Sequence, residues 1–401
     1  MNRDRIIQIC DRVIEACFYC LLVFVTFSTS LVEIASSLLI FFWILKRLIL
    51  RDFKAIDSAP ARILLLFWLW NVLSCVNSDY FRESFRGVFK VAEYALIFMA
   101  AATEMRGGKV VKRSIYVMVG GALLSCFNGF FQFFSGAGFL RHRQLIHQDY
   151  LNRISSSFVH PNDFAVYLLV VAIVFLSLLL SRYSRLRTRL YMAAMVAVSS
   201  VALFLTKSRG AWISFSGSFL ALGALKAKRL MAVFLVLLLV VFIMLPYTVQ
   251  ERMFQLTDVQ SGTTWERLML WRGAIDMIKA RPILGFGVNT YSRNFPDYKP
   301  DQYWDSRYCH NCYLHMASEI GIVGALLFLT FLVTVLIFIL LGIFRMKGSI
   351  RKDLARGLLA GLVGFSMNSI VDTHLYSVNL AVFFHLLLGL CFALSNNDEG
   401  S

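Results

Sequence analysis

Long apolar runs alternate with short polar connections along almost the whole chain. They fall at roughly 14–32, 34–50, 61–76, 86–103, 114–135, 162–181, 190–206, 210–225, 229–246, 315–344, 354–371 and 375–394. Most approach the roughly 20 residues that an α-helix needs to cross about 30 Å of hydrocarbon. The residue-by-residue alternation of a transmembrane barrel is absent. The pattern predicts an all-α polytopic membrane protein of about twelve transmembrane helices, with both termini on one side. The first run lacks a small-residue cleavage site and leads straight into another, so it is expected to remain as a span. One polar segment breaks the rhythm. The expected organisation is 1–246 with helices 1–9, 247–314 as a large external loop with amphipathic helices, and 315–401 with helices 10–12 and a cytoplasmic tail.

The loop is rich in Trp and Tyr and has no low-complexity run, so it is expected to be ordered. Within it, 264–280 carries apolar residues at helical spacing, with Leu268, Trp271, Ile275 and Ile278 as the expected buried stripe. Thr263 or Thr264 can cap this helix, Pro282 stops it, and Gly285 and Gly287 then make a tight turn.

Composition agrees with a membrane class: 58% of residues are hydrophobic and the mean hydropathy is +0.66. A net charge of +16 would fit a nucleic-acid binder, but the position of the charge argues otherwise. Lys and Arg cluster in alternate connections, such as Lys46, Arg47 and Arg51, then Arg182, Arg185, Arg187 and Arg189, then Arg345, Lys347, Arg351 and Lys352. These clusters are expected in the cytoplasm with both termini, which puts 247–314 outside. His142, His147, His160, His310, His315 and His374 then fall at the outer side, and His385 alone is mid-span. Of the eight cysteines, only Cys309 and Cys312 sit in a polar, external context; those inside spans behave as small hydrophobes.

The chemistry-bearing residues gather on that outer side. Arg153, Arg209 and Arg267 come from three separate external segments, and the planar guanidinium suits the paired oxygens of a diphosphate. Arg209 is held by a short turn, Thr206 to Gly210, at the lipid surface, where an unpartnered cation is costly. Their alternative role is ordinary headgroup contact. His310 can take a proton from a hydroxyl near neutral pH. His315 and Glu319 are four apart and so share a helix face. Asp297, Asp301 and Asp305 read as a solvated acidic face rather than a metal site, and Cys309 with Cys312 lacks a second matching half for zinc. No Walker loop or dinucleotide fingerprint is present.

Four phrases, in this order and on one side, together resemble the O-antigen ligase and polymerase-like membrane glycosyltransferases. They are Arg153 to Ala165, with Phe158, His160, Pro161 and Asn162; Thr206 to Trp212, with Arg209 and Gly210; Glu266 to Trp271 with Pro282, Gly285 and Gly287; and His310, Asn311, Tyr313 and Leu314 followed by Glu319 and Gly321. The resemblance covers roughly 150–330. Cys309 and Cys312 are not part of its pattern. It implies a type-C glycosyltransferase-like fold in the bacterial inner membrane, with the active site facing the periplasm. Its implied activity, in lipopolysaccharide biosynthesis, moves a glycan from undecaprenyl diphosphate to a lipid A–core sugar hydroxyl. No cofactor, metal or nucleotide-sugar is implied. His310 would be catalytic, Arg153, Arg209 and Arg267 would bind diphosphate, and Asn162, Asn311, Tyr313, His315 and Glu319 would support them. The nearest alternative is a polysaccharide polymerase, with a second carrier-linked glycan as acceptor. A transporter or flippase of lipid-linked glycans is a more distant one, because few ionisable residues lie within the spans and no pseudo-repeat is evident. A membrane anchor or assembly factor without chemistry is the remaining class.

Overall fold

Apolar runs become helices, and the residues at their ends explain where each begins. A computed structural model describes residues 3–52, 57–148, 151–226, 232, 262–299 and 308–396. The helices in chain order are α1 (Arg3–Phe24), α2 (Thr29–Leu50), α3 (Ala59–Ser74), α4 (Phe81–Glu104), α5 (Gly108–Ser135), α6 (Pro161–Leu179), α7 (Leu186–Leu205), α8 (Arg209–Lys226), α9 (Gly262–Ala280), α10 (Tyr291–Asn294), α11 (Cys312–Arg345), α12 (Ile350–Asn368) and α13 (Val378–Ser395). Ser28, Ser58, Asn311 and Ser349 accept hydrogen bonds from the first free backbone N–H groups of α2, α3, α11 and α12. Pro161 opens α6, where its missing N–H costs nothing.

Among the described residues six helices are long and apolar enough to cross a membrane: Ala59–Asn77, Gly108–Ser135, Pro161–Leu179, Leu186–Leu205, Cys312–Arg345 and Val378–Ser395. The chain is therefore a polytopic helical membrane protein. Other expected spans, α1, α4 and α12 among them, are also helices, but each carries several ionisable side chains. The span expected at 229–246 lies outside the described residues, apart from residue 232.

Burial ranks the helices. The α6 and α13 windows are 78% and 89% buried, whereas α7 is 28% buried, so α6 and α13 form the centre and α7 the rim. Helix α6 packs on α7, α8 and α12, and α13 packs on α4, α11 and α12. Gly357 and Gly361 let α12 approach α6 closely: an added Cβ would press on Ser177 and Val174, or on Val170. At one end of the bundle, Lys46 pairs with Asp11 and Glu104 at 2.5 and 2.6 Å, and Lys226 pairs with Asp353 at 2.9 Å. The functional side chains collect at the other.

Two buried amides on α5 build that end. Gln132 donates to the carbonyls of Arg143 and Gln144 and accepts from the N–H groups of Ser155 and Ser156. Asn128 holds Ser156, Ser157 and the Leu140 N–H. Between them they fix the connection from α5 to α6. It contains a short hairpin, β1 (Ile146–Gln148) against β2 (Leu151–Arg153), which the hydropathy pattern does not announce.

The expected stripe of α9 is displaced. Leu270, Ala274 and Met277 are the buried residues, packed with Phe286, Tyr291, Phe295 and Cys309, while Ile275 is 41% exposed. Small residues decide this face: Gly273 lies so close to the Phe295 ring and the Tyr298 carbonyl that no Cβ would fit. The tight turn after α9 is present, with Gly285 and Gly287 at φ 66° and 101°. It docks on α11, where Gly287 N–H donates to the Glu319 carbonyl at 2.7 Å and Ile322 N–H donates to Pro282 at 2.8 Å. Helix α11 breaks at the same place. Gly321 has φ 74° and ψ 172°, and a Cβ there would overlap the Ile283 carbonyl.

Candidate functional site

The site is organised by a residue that the sequence patterns did not single out. Asp372 lies in the connection between α12 and α13, and its carboxylate gathers three segments. Oδ1 is 3.0 Å from His310 Nδ1 and accepts from its neighbour's N–H, that of Thr373, at 2.9 Å. Oδ2 accepts from Asn162 Nδ2 at 2.6 Å. Asn162 Oδ1 in turn accepts from the Arg153 guanidinium at 2.8 Å, and Arg153 Nε donates to the Thr206 carbonyl at 2.9 Å. Arg209, at the start of α8, is three residues on from Thr206 and exposed. Arg267 on α9 is near enough for its charge to act on Asp372 and His374. The structure thus joins His310 to Asn162 and Arg153 through Asp372. It puts Arg267 within electrostatic range of Asp372 and His374, and Arg209 on the turn that Arg153 braces.

A second layer lies beneath. His374 is fully buried, with Nδ1 3.0 Å from Asp163 Oδ1 and Nε2 2.6 Å from Asn368 Oδ1. Burial by itself would raise the Asp372 pKa. The charges of His374 and His310, the hydrogen bond from His310 and the Arg267 charge outweigh it and hold the carboxyl far below the usual range. Burial likewise opposes charge on His374, yet Asp372 and the hydrogen bond to Asp163 push its pKa up. Asp372 is thus a stable anion, facing the charges of His374 and Arg267.

His310 has φ 51°, a left-handed conformation uncommon for a residue with a side chain. Its ring is 40% exposed and Asp372 is 12% exposed, so an incoming molecule meets the imidazole and not the carboxylate. Asn311 spends its side chain on capping α11, accepting from the N–H groups of Tyr313 and Leu314. Tyr313 donates to the Ser366 carbonyl at 2.9 Å and ties α11 to α12. Trp271 donates to the His310 carbonyl at 3.4 Å, which links α9 to the same loop.

His315 and Glu319 do share a face, at 3.5 Å, but neither is at a wet surface. Each is 2% exposed. His315 lies between the rings of Tyr291 and Tyr376, at 4.2 and 4.0 Å. Glu319 accepts from the Tyr291 N–H at 2.9 Å. The reason is the docking of the turn after α9, which covers this part of α11. The pair secures the loop; it does not join the Asp372 cluster.

Cys309 and Cys312 are free, buried thiols. Cys309 Sγ lies 3.0 Å from the Asn311 carbonyl, Cys312 Sγ lies 3.3 Å from the Asp372 carbonyl, and burial pushes the Cys309 pKa up. Asp297 ends a short turn, Phe295–Asp297, and Asp301 and Asp305 lie outside the described residues. Motif reading passed over Asp372 and gave no role to His374, Asp163 or Thr206, although Asp163 and Thr206 fall inside the matching phrases. The only signal for Asp372 is the run Asp372, Thr373, His374 in a short connection between two strongly apolar helices.

The bundle and its arginine- and histidine-bearing end define a class, a polytopic membrane protein with a cationic polar site at one face. Residues 193–329 match the family described as O-Antigen ligase, so this segment is similar to that family. That family covers ligases and polymerases and points to a glycosyltransferase-like membrane enzyme that uses lipid-linked glycans. No curated protein matches the chain. The matched segment holds Arg209, Arg267, His310 and Glu319. Arg153, Asn162 and Asp372 lie outside it and reach the same site through the fold.

Proposed function

We propose that the protein is an O-antigen ligase of the bacterial inner membrane. It transfers a glycan from undecaprenyl diphosphate to a sugar hydroxyl of lipid A–core on the periplasmic side, with both termini in the cytoplasm. The observation that carries this reading is the His310–Asp372 contact at 3.0 Å, set among Arg153, Asn162 and Arg267.

The anionic carboxylate of Asp372 accepts from His310 Nδ1–H and so leaves Nε2 with its lone pair. Nε2 takes the proton of the acceptor hydroxyl as that oxygen attacks the anomeric carbon. The bond from this carbon to the diphosphate oxygen breaks, and its electron pair leaves with undecaprenyl diphosphate. A diphosphate is already a good leaving group, so growing negative charge is what must be stabilised. Arg153, Arg209 and Arg267 offset it with positive charge, without donating a proton. The imidazolium formed on His310 is stabilised by Asp372.

The test is transfer by purified protein in nanodiscs, with a carrier-linked glycan as donor and either lipid A–core or a second carrier-linked glycan as acceptor. Product on lipid A–core that disappears with His310→Ala supports the ligase. Elongation of the carrier-linked glycan alone assigns the chain to the polymerases instead.

A further inference from the structure

The outer half of α4 carries two parallel rows of side chains that the site described above does not use. Arg82, Arg86 and Lys90 follow one another at intervals of four, and Phe81, Phe85 and Phe89 form the adjacent row. The three phenylalanines are 61%, 50% and 61% exposed and touch along the helix, Phe81 stacked on Phe85 and Phe85 edge-to-face with Phe89, with ring centroids 5.8 and 4.9 Å apart. Arg82 and Arg86 are exposed and have no hydrogen bond or ion pair among the described residues. Lys90 pairs with Glu33 of α2 and with Glu93, at 3.0 and 3.1 Å. Lys90 is nine residues past Phe81, about 13 Å along the axis at the α-helical rise. Cations descending a helix into a membrane are costly unless an anion meets them.

The opposite face of α4 is fixed to the loop. Ser84 donates to the Val288 carbonyl at 3.0 Å, Asn289 donates to the Glu83 carbonyl at 3.2 Å, and Arg293 pairs with Glu83 at 3.3 Å. One turn beyond Lys90, Tyr94 is within charge-interaction range of Tyr308, two residues before His310. Helix α4 packs on α13, whereas α6 and α8, which follow Arg153 and begin at Arg209, pack on α12. The two rows therefore lie on a different part of the bundle from Arg153 and Arg209, next to the loop that follows α9.

We infer that the outer half of α4 is the docking surface for the acceptor, a phosphorylated glycolipid. Its acyl chains lie along Phe81, Phe85 and Phe89, and its phosphates meet Arg82 and Arg86. The inference rests on the transfer reaction proposed above. It assigns the acceptor rather than the donor because the donor's diphosphate is taken up on the α6 and α8 side, and the base must stand between the two substrates. Paired rows of aromatic and guanidinium groups suit an amphiphile with several chains and a multiply charged headgroup.

The experiment compares wild-type protein with the double variants Arg82→Ala, Arg86→Ala and Arg82→Lys, Arg86→Lys in nanodiscs. KM is measured for lipid A–core, for the same lipid after phosphatase treatment, and for the carrier-linked donor. The alanine variant should raise acceptor KM by about tenfold or more, as expected for lost charge-assisted hydrogen bonds, with donor KM and thermal stability unchanged. The lysine variant should recover part of the loss, and removing the phosphates should raise wild-type KM while barely affecting the alanine variant. A rise in donor KM, or unchanged acceptor KM, overturns the assignment. Direct binding of lipid A–core to nanodiscs separates it from the reaction itself. Arginine-dependent binding without any transfer would sink the ligase reading and leave the docking surface standing. Equal displacement by phosphatidylglycerol would show a general lipid contact and overturn the proposal.

Discussion

His310 Nδ1 and Asp372 Oδ1 stand 3.0 Å apart although 62 positions separate the two residues in the chain. The contact gives Asp372 one task, to fix the tautomer and orientation of the imidazole. Asp372→Asn keeps the shape but offers an amide in place of an anion. It should lower the transfer rate by about 10²-fold or more, within the range of general-base contributions. His310→Ala should do at least as much, and the double variant should be scarcely worse than His310→Ala alone, because the two act as a unit. Carrier binding should persist in all three. Additive losses in initial rate would mean that Asp372 has a separate role.

Arg267 acts through charge on the reacting region, so its loss should be felt most in the transition state. Arg267→Gln should lower kcat and weaken carrier binding, and Arg267→Lys should restore part of both, since a point charge lacks the paired donors. An Arg267→Gln protein with unaltered kcat and raised acceptor KM would place this arginine on the other substrate.

The buried pair Asp372 and His374 makes stability depend on pH from both sides. The depressed carboxyl contributes fully above its unfolded value, about 3.9, and loses that contribution as pH falls toward its much lower folded value. The raised histidine contributes fully below about 6.5 and loses it as pH rises through its higher folded pKa. Melting temperature in detergent should therefore peak at mildly acid pH. His374→Gln should abolish the decline above neutrality, and a variant that keeps it would assign the decline to another group.

The buried thiols should resist modification. An impermeant maleimide should leave Cys309 and Cys312 unlabelled in native membranes and label them after denaturation, because both are 0% exposed. The double change to Ala should retain most transfer activity, with a modest loss of thermal stability from the vacated volume. Ready labelling of either native thiol would contradict the burial.

Gly321→Ala tests the join between α11 and the loop. The left-handed backbone alone costs an alanine about 1–3 kcal/mol, and its Cβ collides with the Ile283 carbonyl. The turn after α9 should detach, and the loop should become sensitive to protease in the detergent-solubilised protein. Unchanged protease resistance would show that the break absorbs a methyl group.

Hydropathy made the helices legible because burying or exposing some 20 apolar residues to lipid is a large, local signal. The distribution of Lys and Arg gave the expectation that His310 and the three site arginines share one side. Neither signal could find Asp372, whose meaning comes from Asn162, 210 positions away, and from His310. The buried face of α9 escaped for a related reason. Gly273 and Ala274 bring the helix close to its neighbours by being small, and small residues hardly register on a hydropathy scale. His315 and Glu319 were legible as a pair at helical spacing but not as an interior one, since the turn that covers them is distant in the chain. The hairpin before Arg153 is held by Gln132 and Asn128, which look like ordinary polar residues within an apolar run.

The break at Gly321 separates two demands on a single helix. The part beyond it must match the thickness of the bilayer and can answer a thicker or thinner one by tilting. The part before it, which follows directly from His310, is pinned to Phe286 and Gly287 by backbone hydrogen bonds from their N–H groups to the Ser318 and Glu319 carbonyls. Changes in lipid chain length should therefore be taken up below the joint, so that the position of the imidazole is insulated from the mechanics of the membrane that carries it.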